Sequence, residues 1–207
     1  MTTDKRMIDR LEQGFAGSSA AFDIEGRLHD RLAALAERQG LLDVSYRTID
    51  SPLGPLLLAA TGKGLVRVAF SGEDHESVLS RLASDISPRI LRTSRRLDEA
   101  ARQLEEYFAG KRRAFTVPVD LQLAHGFRRS VLLHLRDIPY GKTQSYTAVA
   151  KAAGNPSAVR AAASACSHNP VPLVVPCHRV VRSDGTTGGY RGGPEAKRAL
   201  LAMEAEA

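Results

Sequence analysis

Past residue 43 the apolar positions alternate in short runs. Tyr46-Arg47-Thr48-Ile49 reads as a strand and Ser51-Pro52-Leu53-Gly54-Pro55 as a turn. Leu56 to Ala60 is a second strand, and Thr61-Gly62-Lys63-Gly64 returns the chain into a third, Leu65 to Phe70. His75 to Ala83 fits a helix and Arg89 to Arg92 a short strand. Leu97, Ala100, Ala101, Leu104 and Phe108 share one face of a helix that Gly110 ends, and Phe115 to Val119 returns toward the sheet. This is a small α+β unit with no obvious chemical cluster.

The periodicity then changes. Phe127, Val131, Leu132, Leu135 and Ile138 space as one helix, stopped by Pro139-Tyr140-Gly141. Ser145 caps a second helix carrying Tyr146, Val149 and Ala150, which Gly154-Asn155-Pro156 ends. Pro156 to Ser167 reads as a third, with proline in its first turn. Two short helices joined by a tight Gly-containing turn make a helix-turn-helix pattern. Its second helix is nearly all small residues around a single Arg160, so it could approach another surface closely, or pack tightly in the core. Upstream, Gly14, Gly17, Ser18 and Ser19 leave residues 1–26 loosely structured, and Leu28, Leu32, Leu35 and Ala36 predict an amphipathic helix closed by Gly40. The resulting division is an extension over 1–43, an α+β domain over 44–112, a connection over 113–124 and a helical domain over 125–207.

At 207 residues the chain fits one large or two small domains. Its 43% hydrophobic and 25% charged residues exclude wholesale disorder and fibrous classes. No apolar run approaches the ~20 residues of a membrane span. The N-terminus lacks a secretory pattern, and two cysteines are too few for a disulfide framework. A cytoplasmic, reducing setting is expected. The net charge of +6 is uneven: residues 1–43 carry −2, residues 44–124 carry +2 and residues 125–207 carry +6. A polyanion would therefore bind the last third.

The most informative segment is Asn169-Pro170-Val171-Pro172-Leu173-Val174-Val175-Pro176-Cys177-His178-Arg179-Val180. Two prolines predict an extended approach, and an apolar run leads to a thiol beside an imidazole and a guanidinium. Such neighbours lower a thiol pKa and make it nucleophilic. On a strand, Cys177 and His178 would face opposite ways and communicate through a water, unless the backbone turns there. Three other readings stand at this point. Cys177 is a small buried hydrophobe, or Cys166, His168, Cys177 and His178 ligate zinc at a non-standard spacing, or a distant base serves a cysteine hydrolase.

Pro176-Cys177-His178-Arg179-Val180 resembles the active-site motif of the O6-alkylguanine-DNA alkyltransferases. The likeness extends through Ser51-Pro52-Leu53-Gly54, Ile138-Pro139-Tyr140-Gly141, Ser145-Tyr146, Gly154-Asn155-Pro156, Arg160-Ala161, Asn169-Pro170 and Gly189-Tyr190-Arg191-Gly192-Gly193. The resemblance implies a two-domain α/β protein: an N-terminal ribonuclease-H-like α+β domain and a C-terminal winged-helix-like domain with the helix-turn-helix. It implies single-turnover, irreversible transfer of an alkyl group to Cys177 from O6 of guanine, with O4 of thymine a second candidate. The target base is flipped from double-stranded DNA bound through the minor groove, by a monomer needing no cofactor or metal.

By the same resemblance His178 takes the thiol proton through a water and Glu204 orients His178. Tyr146 donates to N3 of the flipped base, and Asn169 pins the turn before the active site. Arg160, Ala161, Ser145 and Arg179 belong to the DNA-binding set, with Arg160 filling the vacated stack. Val180, Tyr190, Arg191 and Pro172 line the base pocket, the N–H of Arg191 donating to O6 and the carbonyls of Cys177 and Val180 accepting from the exocyclic amine. The cysteine-rich zinc domain of the adaptive-response regulators is absent, and residues 1–43 and Cys166 receive no role. A non-enzymatic lesion binder, which replaces the cysteine, is argued against by Cys177 itself. A helix-turn-helix regulator predicts sequence preference and no covalent product.

Overall fold

The computed structural model describes Leu28 and residues 31–206; the loose structure expected over residues 1–26 lies outside them. The chain divides into a unit ending at Leu42 and a unit from Asp43 onward. In the first, residues 31–38 are helical. Gly40 at φ 66° lets the Leu41 N–H reach back to the Ala36 carbonyl at 2.8 Å, a glycine C-cap. Leu28, Leu32 and Leu35, the expected apolar face, are exposed.

The second unit opens with β1 (Val44–Ile49), β2 (Leu56–Thr61), β3 (Gly64–Ala69), α1 (His75–Asp85), β4 (Ile90–Arg92) and α2 (Asp98–Phe108). The sheet order is β3-β2-β1-β4, antiparallel except for the parallel β1–β4 pair. Strand β2 is central and covered on both faces, so it reads as a continuous apolar run, yet its side chains still divide by twos. Leu56, Leu58 and Ala60 join Leu97, Ala100, Leu104 and Tyr107 in one core, while Leu57 and Ala59 join Val78 and Leu82 of α1 in the other. Asp74 caps α1, its carboxylate accepting from the Ser77 N–H.

The expected strand over Phe115–Val119 is instead a single bridge, Leu65 to Val119. Pro118 offers β3 only its carbonyl, 2.9 Å from the Leu65 N–H, and has no N–H with which to extend a ladder. Buried Gln103 satisfies the adjoining backbone, accepting from the Thr116 N–H at 2.9 Å.

Beyond it lie α3 (Gly126–Leu135), β5 (Gln144–Ser145), α4 (Tyr146–Ala152), α5 (Val159–Ser167), β6 (Val180–Val181) and α6 (Gly193–Ala205). Ser145 caps α4 as expected, accepting from the Ala148 N–H at 3.1 Å. Helix α5 starts three residues later than the proline suggested, with Ala158 as its N-cap. The buried stripe of α6 is Ala196, Lys197, Leu200 and Glu204, so an ammonium and a carboxylate face inward. The larger core runs without a break from α2 through α3 and α5 to Cys177 and Leu200. Among the described residues no helix is long and apolar enough to cross a membrane.

Candidate active site

The extended approach expected over residues 170–176 is a compact turn. The Val175 N–H donates to the Val171 carbonyl at 2.9 Å, and Leu173 takes a left-handed φ of 73°. Asn169 holds both ends: its Oδ1 accepts from the Val171 N–H at 3.0 Å and its Nδ2 donates to the Val175 carbonyl at 2.8 Å. The resemblance gave Asn169 this place, and its full burial makes both bonds count. Cys177–Arg179 then forms one turn of 3₁₀ helix rather than a strand. Alternation of side chains does not apply, and β6 begins only at Val180, parallel to β5 and therefore beside Ser145 and Tyr146.

Glu204, reached from α6, is where the turn's polar groups converge. Its Oε1 lies 2.9 Å from His178 Nε2, and its carboxylate receives Arg179 through Nε at 2.8 Å and Nη2 at 2.9 Å. The Tyr107 hydroxyl donates to Oε1 at 2.6 Å and the Gly141 N–H to Oε2 at 3.2 Å. Gly141 admits this approach, for a Cβ there would stand 2.8 Å from the Glu204 carbonyl oxygen. Burial alone would raise Glu204, but hydrogen bonds from His178 and Arg179 hold it well below the usual carboxylate range. It is an anion, and so fixes the Nε2–H tautomer of His178. Burial lowers the imidazole pKa, the carboxylate only partly offsetting this, and His178 rests neutral. Its Nδ1 is buried with no hydrogen-bond partner, so the lone pair of that nitrogen is left uncommitted.

Burial pushes the Cys177 thiol up to about 11, against the pull of the Asn169 hydrogen bond and the charges of Lys197 and Arg191. At neutral pH the resting sulfur is therefore a thiol. Lys197 is fully buried, its Nζ donating to the Val180 carbonyl at 2.6 Å and standing 5.9 Å from the centre of the Tyr146 ring. That carbonyl keeps a second lone pair for another donor. Tyr146 itself is pushed up to about 12, first by burial and then by the nearby sulfurs, so it is a donor at neutral pH.

The Tyr190 ring meets Phe70 edge-on at 5.5 Å and His178 at 6.2 Å, with its hydroxyl buried and unpartnered. Arg191 lies 3.4 Å from Glu73, which also receives Arg67 and the Phe70 N–H. A Cβ on Gly192 would come within 2.9 Å of the Phe70 ring. The β3–α1 connection thus holds the loop at Tyr190–Gly192. A cleft of about 640 Å³ lies along Pro139, Tyr140, Pro176 and Arg179, and Cys177 is not in its wall.

The structure brings Cys177, His178, Glu204, Asn169, Tyr146, Val180, Tyr190 and Arg191 into one neighbourhood, and buries Pro172 in the turn. Arg160 and Ala161 stand exposed on the first turn of α5. Arg179, expected among the DNA contacts, points inward instead. Two guanidinium nitrogens go to Glu204 and the third to the Ile138 carbonyl at 2.6 Å, leaving little to offer a phosphate. Sequence reasoning missed Lys197, Tyr107 and the Arg67–Glu73 pair, and Tyr107 brings the α+β half, read as chemically silent, into the site. Among the described residues no group of acidic, histidine and cysteine side chains is arranged for a metal, and both cysteines are free.

Two family models match: the ribonuclease-like domain of 6-O-methylguanine DNA methyltransferase over residues 44–121 and its DNA binding domain over residues 126–206. The methylated-DNA–protein-cysteine methyltransferase of Mycobacterium tuberculosis is 40% identical over 161 residues, covering 78% of this chain and 92% of that one. The Escherichia coli bifunctional transcriptional activator/DNA repair enzyme Ada is 38% identical over 206 residues. That match covers 95% of this chain and 55% of Ada, so it extends into residues 1–43. The crystal structure of Mycobacterium tuberculosis OGT in complex with DNA superposes with a TM-score of 0.69 at 38% identity, covering 78% of this chain and 93% of that one. With the buried Cys-His-Arg turn closed by a helical glutamate, and with both halves matched in order, the chain belongs to the 6-O-methylguanine DNA methyltransferase family.

Proposed function

We propose that this chain repairs O6-alkylguanine in double-stranded DNA by moving the alkyl group, once and irreversibly, to Cys177. The observation that carries the reading is the 2.9 Å contact of His178 with Glu204, on the turn that presents Cys177 beside the helix-turn-helix. The protein binds as a monomer through the minor groove, whose readout is nearly sequence-blind and suits a search for damage at any site. The small, exposed first turn of α5 allows that approach, and Arg160 takes the place of the flipped nucleotide. Its two free cysteines suit a cytoplasmic, reducing setting.

In the reaction His178 Nδ1 takes the Cys177 proton through an intervening water. The Cys177–Glu204 relationship is then that of nucleophile and orienting acid, as in a Ser-His-Asp triad. The sulfur attacks the alkyl carbon, the S–C bond forms as the C–O6 bond breaks, and the electron pair returns to the purine. Tyr146 donates toward N3 and the Arg191 N–H toward O6, stabilising the charge that develops on the leaving guanine. Lys197 favours the thiolate from a dry site, where its charge is weakly screened. Arg179 and Tyr107 hold Glu204 as an anion.

The test is intact-mass spectrometry after incubation with duplex DNA containing O6-methylguanine. The expected result is one methyl gained per chain, no further turnover with excess DNA, and no gain in Cys177→Ser. Unchanged mass in folded wild-type protein rejects the reading, as does repeated turnover.

A further inference from the structure

A second cleft, of about 220 Å³, opens between the α+β half and the end of α5. Its walls bring together Arg67, Arg81, Arg128 and Arg191, with His168 at the C-cap of α5 and Asp85 one turn along α1 from Arg81. The lining thus holds four guanidiniums and one carboxylate, Asp85, while Glu73, outside the wall, is shared by Arg67 and Arg191. Arg67 is buried and further tied to the Pro170 carbonyl at 3.2 Å, just beyond the Asn169 pin. Arg128 spends one nitrogen on the Leu123 carbonyl at 2.8 Å, and Arg81 reaches only the Ser77 carbonyl at 3.4 Å. Donors remain on both. Burial lowers the Arg67 pKa; Glu73 pulls it back up by charge and hydrogen bond, while the charges of Arg191 and Arg81 push it down, so these cations repel one another and Glu73 offsets only part of the lowering.

We propose that this cleft is a phosphodiester-binding site, which carries the DNA strand next to the flipped nucleotide out across the α+β half. The inference rests on the DNA-repair reading above and extends its surface beyond α5. An anion between the arginines offsets their mutual repulsion, and the planar fork of a guanidinium suits phosphate oxygens. The place fits as well. His168 ends α5, Pro170 follows the pin, and Arg191 sits on the loop that packs against His178 through Tyr190, so the cleft borders the active-site turn on its DNA-facing end.

The experiment measures duplex-DNA affinity against salt concentration for the full chain, beside its methylation by free O6-methylguanine base. Each phosphate contact contributes roughly −0.9 to the slope of log K against log salt. R81A/R128A is expected to flatten the slope by about 1 to 2, to leave the free-base rate unchanged, and to recover its slope in R81K/R128K. An unchanged slope in R81A/R128A overturns the proposal. So does a slope change that the lysine pair fails to restore. If the double variant does not fold, R81Q, an exposed substitution, carries the same comparison. Competition by inorganic phosphate at wild-type but not R81A/R128A protein, with equal DNA slopes for both, assigns the site to free phosphate and overturns its role on DNA. Loss of all transfer in the wild type sinks the repair reading itself, and an altered slope alone does not.

Discussion

Glu204 organises four partners from three directions, and its substitution separates their contributions. Glu204→Gln removes the charge that raises the His178 pKa and allows the amide to donate where the carboxylate accepted. The transfer rate should fall by roughly 10²–10⁴, by analogy with loss of the orienting acid in a triad. The acid limb of the pH–rate profile should move to lower pH, since the imidazole loses its stabilising anion. A limb that stays in place would show that His178 is not the base. Lys197 is tested by Lys197→Met, which removes a charge favouring the thiolate. The Cys177 pKa, read from the pH dependence of its alkylation by a small electrophile, should rise above about 11. Rescue by Lys197→Arg would indicate charge rather than packing. Lys197 was invisible in the sequence because a helical lysine ordinarily lies in water. Tyr107 was not among the apolar positions read for its helix, and only the fold shows that it is buried. Glu204 was legible only through family likeness, since nothing local distinguishes a glutamate near a chain end.

At the level of elements, the helix-turn-helix and the three main strands were legible because alternation, caps and glycines agreed. The misses share a cause. The run Val171–Val175 is apolar because it is buried, and burial does not say whether the backbone is straight. Asn169, with one acceptor and one donor, supplies hydrogen bonds at both ends of a turn that periodicity cannot register. The turn at Cys177–Arg179 follows from the same constraint. Two predictions belong to α5. Arg160→Ala should slow repair of duplex DNA far more than reaction with free O6-methylguanine, because only the duplex requires extrusion; equal slowing of both argues against a flipping role. Ala161→Leu, on an exposed position, should weaken duplex binding by a steric gap while leaving thermal stability within ~0.5 kcal/mol. Unaltered binding would mean that this face does not approach DNA closely.

For the molecule as a whole, the active-site turn is a joint product of both halves. Tyr107 reaches Glu204 from α2, and Glu73 holds Arg191 from the β3–α1 connection. This cooperation has an acid signature. Glu204 has a folded pKa below its unfolded value, so its stabilisation is present above the unfolded pKa of ~4.3 and is lost as pH falls below it. His178, held neutral, adds a loss in the same direction, since the unfolded imidazole binds its proton near ~6.5. Melting temperature should therefore fall from pH 7 to pH 3, and fall less steeply in Glu204→Gln; parallel curves would contradict the assignment.

The central claim is that one of two buried sulfurs accepts the alkyl group. Cys166 is its internal control, for burial also pushes its thiol up, and it carries no Asn169 hydrogen bond to offset that. Peptide mapping by tandem mass spectrometry, after reaction with O6-methylguanine duplex, decides between them. The account predicts S-methylcysteine at Cys177 alone, with Cys166 unmodified. A methyl group on Cys166, or on any residue outside the Cys177–Arg179 turn, would contradict it.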